Sequence, residues 1–320
     1  MKTKNCAVIL AAGHGKRMKS DRPKVLCEVL FKPMIDWVID AAKPAVSDVC
    51  VVVGFKGEVV KEHLKGVFAT AEQAEQLGTG HAVTQARDFI RKYSGGNVLV
   101  LCGDAPLIDT DTIQSALDFH IKNQNAATVI SARIEEPKGY GRIVREKGRM
   151  VKIVEEKDAD EVTREINEVN SGAYWFSCDA LLEILPRLSN NNAQKEYYLT
   201  DAVQLMRESG LNVEAYTAEN QYIVLGANDR AQLHQLNNIA RQIVLERLMG
   251  EGVEIICSDG VIIGPDVKIG VNTRILPCSI VTGNTYIGSG CVVGPCVKLH
   301  NCIVTDNSTV SFGEYANGTY

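Results

Sequence analysis

No apolar stretch in this chain approaches the roughly 20 residues that a membrane-spanning helix requires, so a membrane partner is not expected. The start, Met1-Lys2-Thr3-Lys4-Asn5, runs directly into a strand-like segment. It lacks the long apolar region and small-residue cleavage site of a secretory leader. Runs of basic residues interleaved with aromatics are missing as well, and the net charge is −5, which argues against a nucleic-acid surface. A soluble, cytoplasmic protein is expected. Cysteine is not scarce, at ten residues, but cysteine in a pairing pattern is. Cys6, Cys27, Cys50, Cys102 and Cys178 are scattered, several inside apolar runs where a thiol acts as a small hydrophobe. Cys291, Cys296 and Cys302 lie closer together, yet no Cys-x-x-Cys occurs and no histidine spacing completes a zinc site. Reduced structural thiols in a reducing compartment are the expectation.

What is present begins at Leu10-Ala11-Ala12-Gly13-His14-Gly15-Lys16-Arg17-Met18, followed by Pro23-Lys24. The apolar run Ala7-Val8-Ile9-Leu10 ahead of it reads as a buried parallel strand. Glycines after a strand let the backbone turn tightly and approach a ligand. A helix opening there would aim its N–H groups at an anion. Arg17 and Lys24 add two cations, a combination that suits a triphosphate. A dinucleotide fingerprint is excluded because Met18 stands where its third glycine belongs. A Walker loop is excluded because Gly15-Lys16 is followed by Arg17 and has no glycine at the right distance upstream.

To about residue 228, short apolar strands alternate with amphipathic segments. Val49–Val53, Asn97–Leu101 and Ala127–Ser131 read as strands, and 33–42 and 81–92 carry helical spacing. Such alternation implies an α/β, Rossmann-like domain with a mostly parallel sheet, with ligands beyond the carboxyl ends of its strands. Residues 229–250 read as a connecting helix, with Asn228 or Asp229 as its cap and Gly250 at its close. Beyond it Ile263, Ile269, Ile275, Val281, Ile287, Val293 and Leu299 recur every six residues. That period belongs to a parallel β-helix, in which three hexads make one coil. The domains are therefore expected at 1–228, 229–250 and 251–320, the last a short, incomplete left-handed β-helix. So few coils bury little alone, which favours trimerisation or a longer domain. The final residues 311–320 fit no hexad.

The first loop resembles the signature of the nucleoside-triphosphate transferases, Leu-Ala-Ala-Gly-x-Gly-x-Arg-Met…Pro-Lys. Gln73-Ala74-Glu75-Gln76-Leu77-Gly78-Thr79-Gly80-His81 narrows the likeness to the bifunctional uridylyltransferases and acetyltransferases that make UDP-N-acetylglucosamine for the peptidoglycan cell wall. The hexapeptide tail agrees. The resemblance implies UTP and N-acetylglucosamine-1-phosphate as substrates, Mg²⁺ as cofactor and a homotrimer built through the β-helix. Full-length members continue well beyond this length and add acetylation of glucosamine-1-phosphate, so acetyl transfer is not expected of this chain.

Asp104, directly after a strand and opened by Gly103, offers hard carboxylate oxygen suited to Mg²⁺, although a lone aspartate there also serves as a helix cap. The resemblance makes Asn228 its partner ligand and Arg17, Lys24 and Asp104 the catalytic set. It likewise implies phosphate or substrate contacts at Leu10, Ala11, Ala12, Gly13, Lys24, Cys102, Gly103 and Asp104. Gln73, Gly78 and Thr79 would read uracil with Gln76 in support, glutamine amides matching the edge of a pyrimidine. Gly139-Tyr140-Gly141-Arg142-Ile143, Val154-Glu155-Glu156-Lys157-Asp158-Ala159 and Asn170-Ser171-Gly172 match family blocks and give Gly141, Glu155 and Asn170 as sugar contacts. Residues 190–201 resemble a further block beside the sugar pocket. Cys102 departs from the family, which usually has tyrosine before Gly-Asp. Other readings stay open: a transferase for another sugar or base, a cytidylyltransferase for small alcohol phosphates, or a non-catalytic assembly subunit.

Overall fold

The apolar runs become strands because both faces of the sheet they form are covered. The computed structural model describes residues 4–320. Its strands are β1 (Cys6–Ala11), β2 (Asp48–Val53), β3 (Ala69–Glu72), β4 (Asn97–Cys102) and β5 (Ala127–Arg133). They continue with β6 (Arg142–Glu146), β7 (Arg149–Val154), β8 (Glu168–Ser177) and β9 (Val213–Thr217). The sheet runs β9-β5-β8-β4-β1-β2-β3, with the β6–β7 hairpin attached to β8. β4, β1, β2 and β3 are mutually parallel, as are β9 and β5, while β8 is antiparallel to both of its neighbours.

Alternate residues of β1 enter opposite cores. Ala7, Ile9 and Ala11 pack with Ile35, Val51 and Leu99, whereas Cys6 and Val8 pack with Val52, Ile90 and Phe176. Full burial of a valine, leucine or isoleucine among them stabilises by about 1.5–3 kcal/mol over exposure. In the parallel register Leu10 lies opposite Cys102, so the loops after β1 and β4 leave the sheet side by side. Gly103 N donates to Leu10 O at 2.9 Å. A Cβ on Gly103 would sit 3.0 Å from that oxygen, so a side chain there would crowd the junction.

Two expected helices are corrected. The loop after β1 does not feed an α-helix but a single 3-10 turn, Lys16–Met18, which stops at Lys19 in the left-handed region. Pro23 follows, and the next α-helix starts only at Met34. The segment 81–92 splits at Ala86 into helices Thr79–Gln85 and Arg87–Arg91.

The chain divides into two units: residues up to Cys27 together with Met34–Asp229, and Glu28–Pro33 together with Arg230–Tyr320. A boundary drawn along the sequence does not anticipate the Glu28–Pro33 hairpin in the second unit. Leu30 and Phe31, both at positive φ, form its turn. Leu30 N donates to Asn237 Oδ1 at 2.9 Å and Lys32 pairs with Asp266 at 2.6 Å. The helix spans Arg230–Gly250.

After it comes the left-handed parallel β-helix, its short strands forming three parallel sheets. Ile263, Val281 and Leu299 align in one sheet, Ile269, Ile287 and Val304 in another, and Ile275, Val293 and Val310 in the third. The hexad period ends at Leu299 because the next coil is one residue shorter. The inward column itself continues through the buried Val304 and Val310. Small residues two positions before each aliphatic also face inward, and Thr273, Ser279, Thr285 and Cys291 are buried. Their hydroxyls are satisfied by backbone, as where Thr273 Oγ1 donates to Gly288 O at 2.7 Å. The last residues, which fit no hexad, supply the strand Gly313–Ala316 beside Val297–His300.

Ile287 is fully buried between Ile269 and Val304. Ile287→Ala is expected to lower the stability of the second unit by about 2–5 kcal/mol. Lys268→Ala, on an exposed outward position, should stay within about 0.5 kcal/mol of the parent. Urea titration of both variants checks the contrast.

Candidate active site

The carboxyl ends of β1 and β4 open into a cavity of about 440 Å³. Leu10 and Cys102 line it from the strands, Ala12, Gly13, Gly15, Lys16 and Arg17 from the first loop, and Lys24, Asp104 and Asn228 beside them. Arg17 and Lys16 are exposed. The Lys24 ammonium pairs with a carboxylate oxygen of Asp104 and donates to Asn228 Oδ1 at 2.7 Å. Lys24 is 11% exposed and Asp104 28%, so the cation is set into the wall while the carboxylate remains reachable. Gly15, at φ +56, lies against this lysine, and a Cβ there would be 2.7 Å from Lys24 Cβ.

A carboxylate and a neutral amide oxygen therefore converge on a point already held by positive charge. That donor set suits a Mg²⁺ that takes its remaining ligands from phosphate and water. Among the described residues no group of three or more His, Cys, Asp or Glu side chains forms a metal cage independent of substrate.

The base-reading candidates Gln73, Gln76, Gly78 and Thr79 line the same cavity. Gln73, 3% exposed, donates its amide nitrogen to Gly78 O at 3.0 Å and to His81 Nδ1 at 3.1 Å. Both amide protons being engaged, its Oε1 is what it can offer a ligand, as an acceptor. Gln76 Nε2 donates to Gln73 O, and Gln76 Oε1 accepts from His14 Nε2 at 2.9 Å, tying this loop to the glycine-rich one. Gly78 has φ +108, and a Cβ there would meet the backbone of Tyr197. Tyr197 N donates to Leu77 O, Gly80 N donates to Tyr197 O, and Thr79 Oγ1 accepts from Leu199 N at 3.1 Å. The segment singled out at 190–201 thus clamps the loop.

Gly141, Glu155 and Asn170 do not line this cavity but form a neighbouring cluster. Asn170 N donates to Gly141 O at 2.8 Å, Asn170 Nδ2 donates to Tyr174 Oη at 2.7 Å, and Thr200 Oγ1 donates to Glu155 Oε1 at 3.1 Å. Cys102 joins the two regions, its Sγ lying 3.6 Å from Gly172 O in the irregular part of β8. Burial, with the charge of Asp104 adding to it, pushes the Cys102 thiol up to about 12, so it stays protonated at neutral pH. Ala11 and Gly103, also expected as contacts, are buried and do not line the cavity. Glu196, Val25 and Ala82 line the cavity without having been anticipated, and Thr200 holds Glu155. Glu196 and Thr200 fall in the 190–201 block, whose pattern pointed to the place but not to individual side chains.

The profile of the family described as nucleotidyl transferase matches residues 6–226, more than half of the chain. The chain belongs to the nucleotidyl transferase family. A Thermoanaerobacter pseudethanolicus relative named bifunctional protein GlmU is 45% identical over 307 residues, covering 95% of this chain and 66% of the relative. The Fervidobacterium nodosum protein of the same name is 50% identical over 288 residues, covering 90% and 62%. The chain spans just under two thirds of the length of these two. The Alkaliphilus oremlandii protein of the same name, 43% identical with 98% of this chain and 70% of the relative covered, places the chain in the GlmU group. A Bacillus anthracis crystal structure, provisionally described as a glucose-1-phosphate thymidylyltransferase in complex with a sucrose, aligns with a TM-score of 0.62. At 20% identity, covering 74% of this chain and 95% of that one, it shows the shared fold.

Burial holds the Glu155 carboxyl above its usual range; the Thr200 hydrogen bond opposes this, and the charges of Asp158 and Asp201 reinforce it. Between the unfolded value and the raised folded one, the folded chain binds more protons. Its contribution therefore favours folding at acid pH and is lost as pH rises through the folded value. Glu155→Gln is expected to gain melting temperature relative to the parent as pH moves from about 4 to neutrality. An unchanged difference across that range would show the carboxyl to be unperturbed.

Proposed function

We propose that the first unit is a uridylyltransferase, forming UDP-N-acetylglucosamine and pyrophosphate from UTP and N-acetylglucosamine-1-phosphate. One observation carries the reading. The glycine-rich loop with Arg17, the Lys24–Asp104–Asn228 group and the loop bearing Gln73, Gly78 and Thr79 line a single cavity. Its volume lies within the roughly 300–1,000 Å³ usual for small-molecule sites. UTP would lay its phosphates on the 13–17 loop and its uracil against Gln73, whose Oε1 can accept from the ring N3–H. The sugar would occupy the cluster of Gly141, Glu155 and Asn170, where a carboxylate and an amide can meet hydroxyl groups.

A phosphate oxygen of the sugar phosphate attacks the α-phosphorus in line, and the bond to the β-phosphate oxygen breaks, releasing pyrophosphate. The attacking oxygen is already ionised near neutrality, so no side chain has to remove a proton. The protein's work is positioning and charge neutralisation. Lys24 and Arg17 bring fixed positive charge to the phosphates, and the buried Gln73 orients the base. When bound on Asp104 and Asn228, Mg²⁺ would add divalent positive charge at the phosphates. The second unit is read as the element that joins three copies, because a few β-helix coils bury little by themselves.

Pyrophosphate release tests the reading, with UTP, dTTP and CTP crossed against N-acetylglucosamine-1-phosphate, glucose-1-phosphate and glucosamine-1-phosphate. UTP with N-acetylglucosamine-1-phosphate should be the fastest pair; release from no pair would leave only a binding or assembly role. Asp104→Ala should lose turnover while melting as a folded protein, and a near-normal rate would overturn the metal assignment. Arg17→Ala and Lys24→Ala should each slow the reaction about a hundredfold, equivalent to the ~3 kcal/mol of one preorganised phosphate contact. Light scattering tests the oligomer: a mass three times that of the chain supports the assignment and a monomer refutes it.

A further inference from the structure

Among the ten cysteines only Cys278 and Cys296 are exposed. They stand 18 residues apart (296 − 278), which is also the spacing of the neighbouring coil pairs Ile280–Lys298 and Val281–Leu299. Each follows a proline, Pro277 or Pro295. Cys296 N donates to Pro277 O at 3.2 Å, as Cys278 N donates to Asp259 O at 3.0 Å one coil earlier. The two cysteines therefore occupy the same corner of successive coils. Neighbouring strands of a sheet lie about 4.8 Å apart. That falls within the roughly 4.4–6.8 Å between Cα atoms that a disulfide tolerates.

The backbone supplies an independent observation. Cys278 and Cys296 have φ of +58° and +52°, in the left-handed region. That region favours glycine and asparagine and is costly for most other side chains. The other two corner columns follow the rule, with Asn272, Gly290 and Asn307 in one and Gly283, Asn301 and Asn317 in the other. This corner runs Gly260, Cys278, Cys296 and Phe312, all at positive φ, and it alone stacks two thiols at such positions. A strained backbone around reactive groups points to a role for them. The coil on the other side of Cys278 offers Gly260, which puts no side chain against the Cys278 sulfur.

We propose that Cys278 and Cys296 form a redox-active dithiol that closes to an intrachain disulfide between adjacent β-helix coils. The oxidant is a low-molecular-weight disulfide. One cysteine thiolate attacks a sulfur of that disulfide and expels a thiolate. The second cysteine thiolate attacks the protein sulfur of the mixed disulfide and expels the other. The protein loses two protons and two electrons, and the small disulfide is reduced to two thiols. The closed form staples one coil to the next and resists fraying of the β-helix. This proposal stands apart from the uridylyltransferase reading and survives its failure.

The test incubates the full chain with 2-hydroxyethyl disulfide, alkylates the remaining thiols and cleaves with chymotrypsin, which cuts between the two cysteines at Tyr286. A linked Cys278–Cys296 peptide is expected from chains that run singly on non-reducing denaturing gels. It should be reversed by dithiothreitol and accompanied by a higher melting temperature. Cys278→Ser and Cys296→Ser should each retain one reagent adduct on the remaining thiol and show no rise in melting temperature. Separate adducts on both cysteines without a link, no reaction at either thiol, a link to the buried Cys291, or a link between two chains would each overturn the proposal.

Discussion

The contact on which the candidate site depends is that of the Lys24 ammonium with Asp104 and Asn228. These residues come from the first loop, from the turn after β4 and from the segment after the last strand of the sheet. No local rule of sequence brings them together. A partly buried cation with a carboxylate on one side and an amide oxygen on the other is best held while all three stay in place, because loss of one partner leaves charge poorly solvated. The group thus organises the cavity before any ligand arrives. It also brings a carboxylate and an amide oxygen together at one point of the cavity wall.

What holds that group is the parallel register of β1 with β4. With Leu10 opposite Cys102 and Gly103 N bonded to Leu10 O, the two loops emerge at one edge. A one-residue slip would turn every side chain of β1 into the wrong core, and the two apolar cores around Ile9 and Val8 oppose it. The loop bearing Gln73, Gly78 and Thr79 is fixed by a different device, Gly78 packed against the backbone of Tyr197. His14 and Gln76 tie it to the glycine-rich loop after β1. Rigidity in this site comes from cross-links between loops, since the loop after β1 ends in one 3-10 turn and has no helix behind it.

Much of this was legible from residues alone. Unbroken apolar runs such as Val49–Val53 report strands buried on both faces, and a six-residue aliphatic period reports a β-helix, because each pattern answers one packing demand. Less legible were features set by distant partners. The 28–33 hairpin joins the second unit through Asn237 and Asp266, far along the chain. The shortened coil after Leu299 breaks the period while leaving the inward column intact. Glu196 gave no signal of its own beyond its place in a polar block.

The sequence by itself determined the buried strands of the first unit, the connecting helix and the β-helix after it, since burial periodicity and glycine or proline placement are local properties. It also carried the residue types a phosphate site needs. Only the tertiary structure decided that Lys24 stands between Asp104 and Asn228, that Gly141, Glu155 and Asn170 gather beside the main cavity rather than in it, and that two thiols share a β-helix corner. Each of those depends on strand register and coil stacking, which are fixed by the summed packing of the whole unit and by no single stretch of chain.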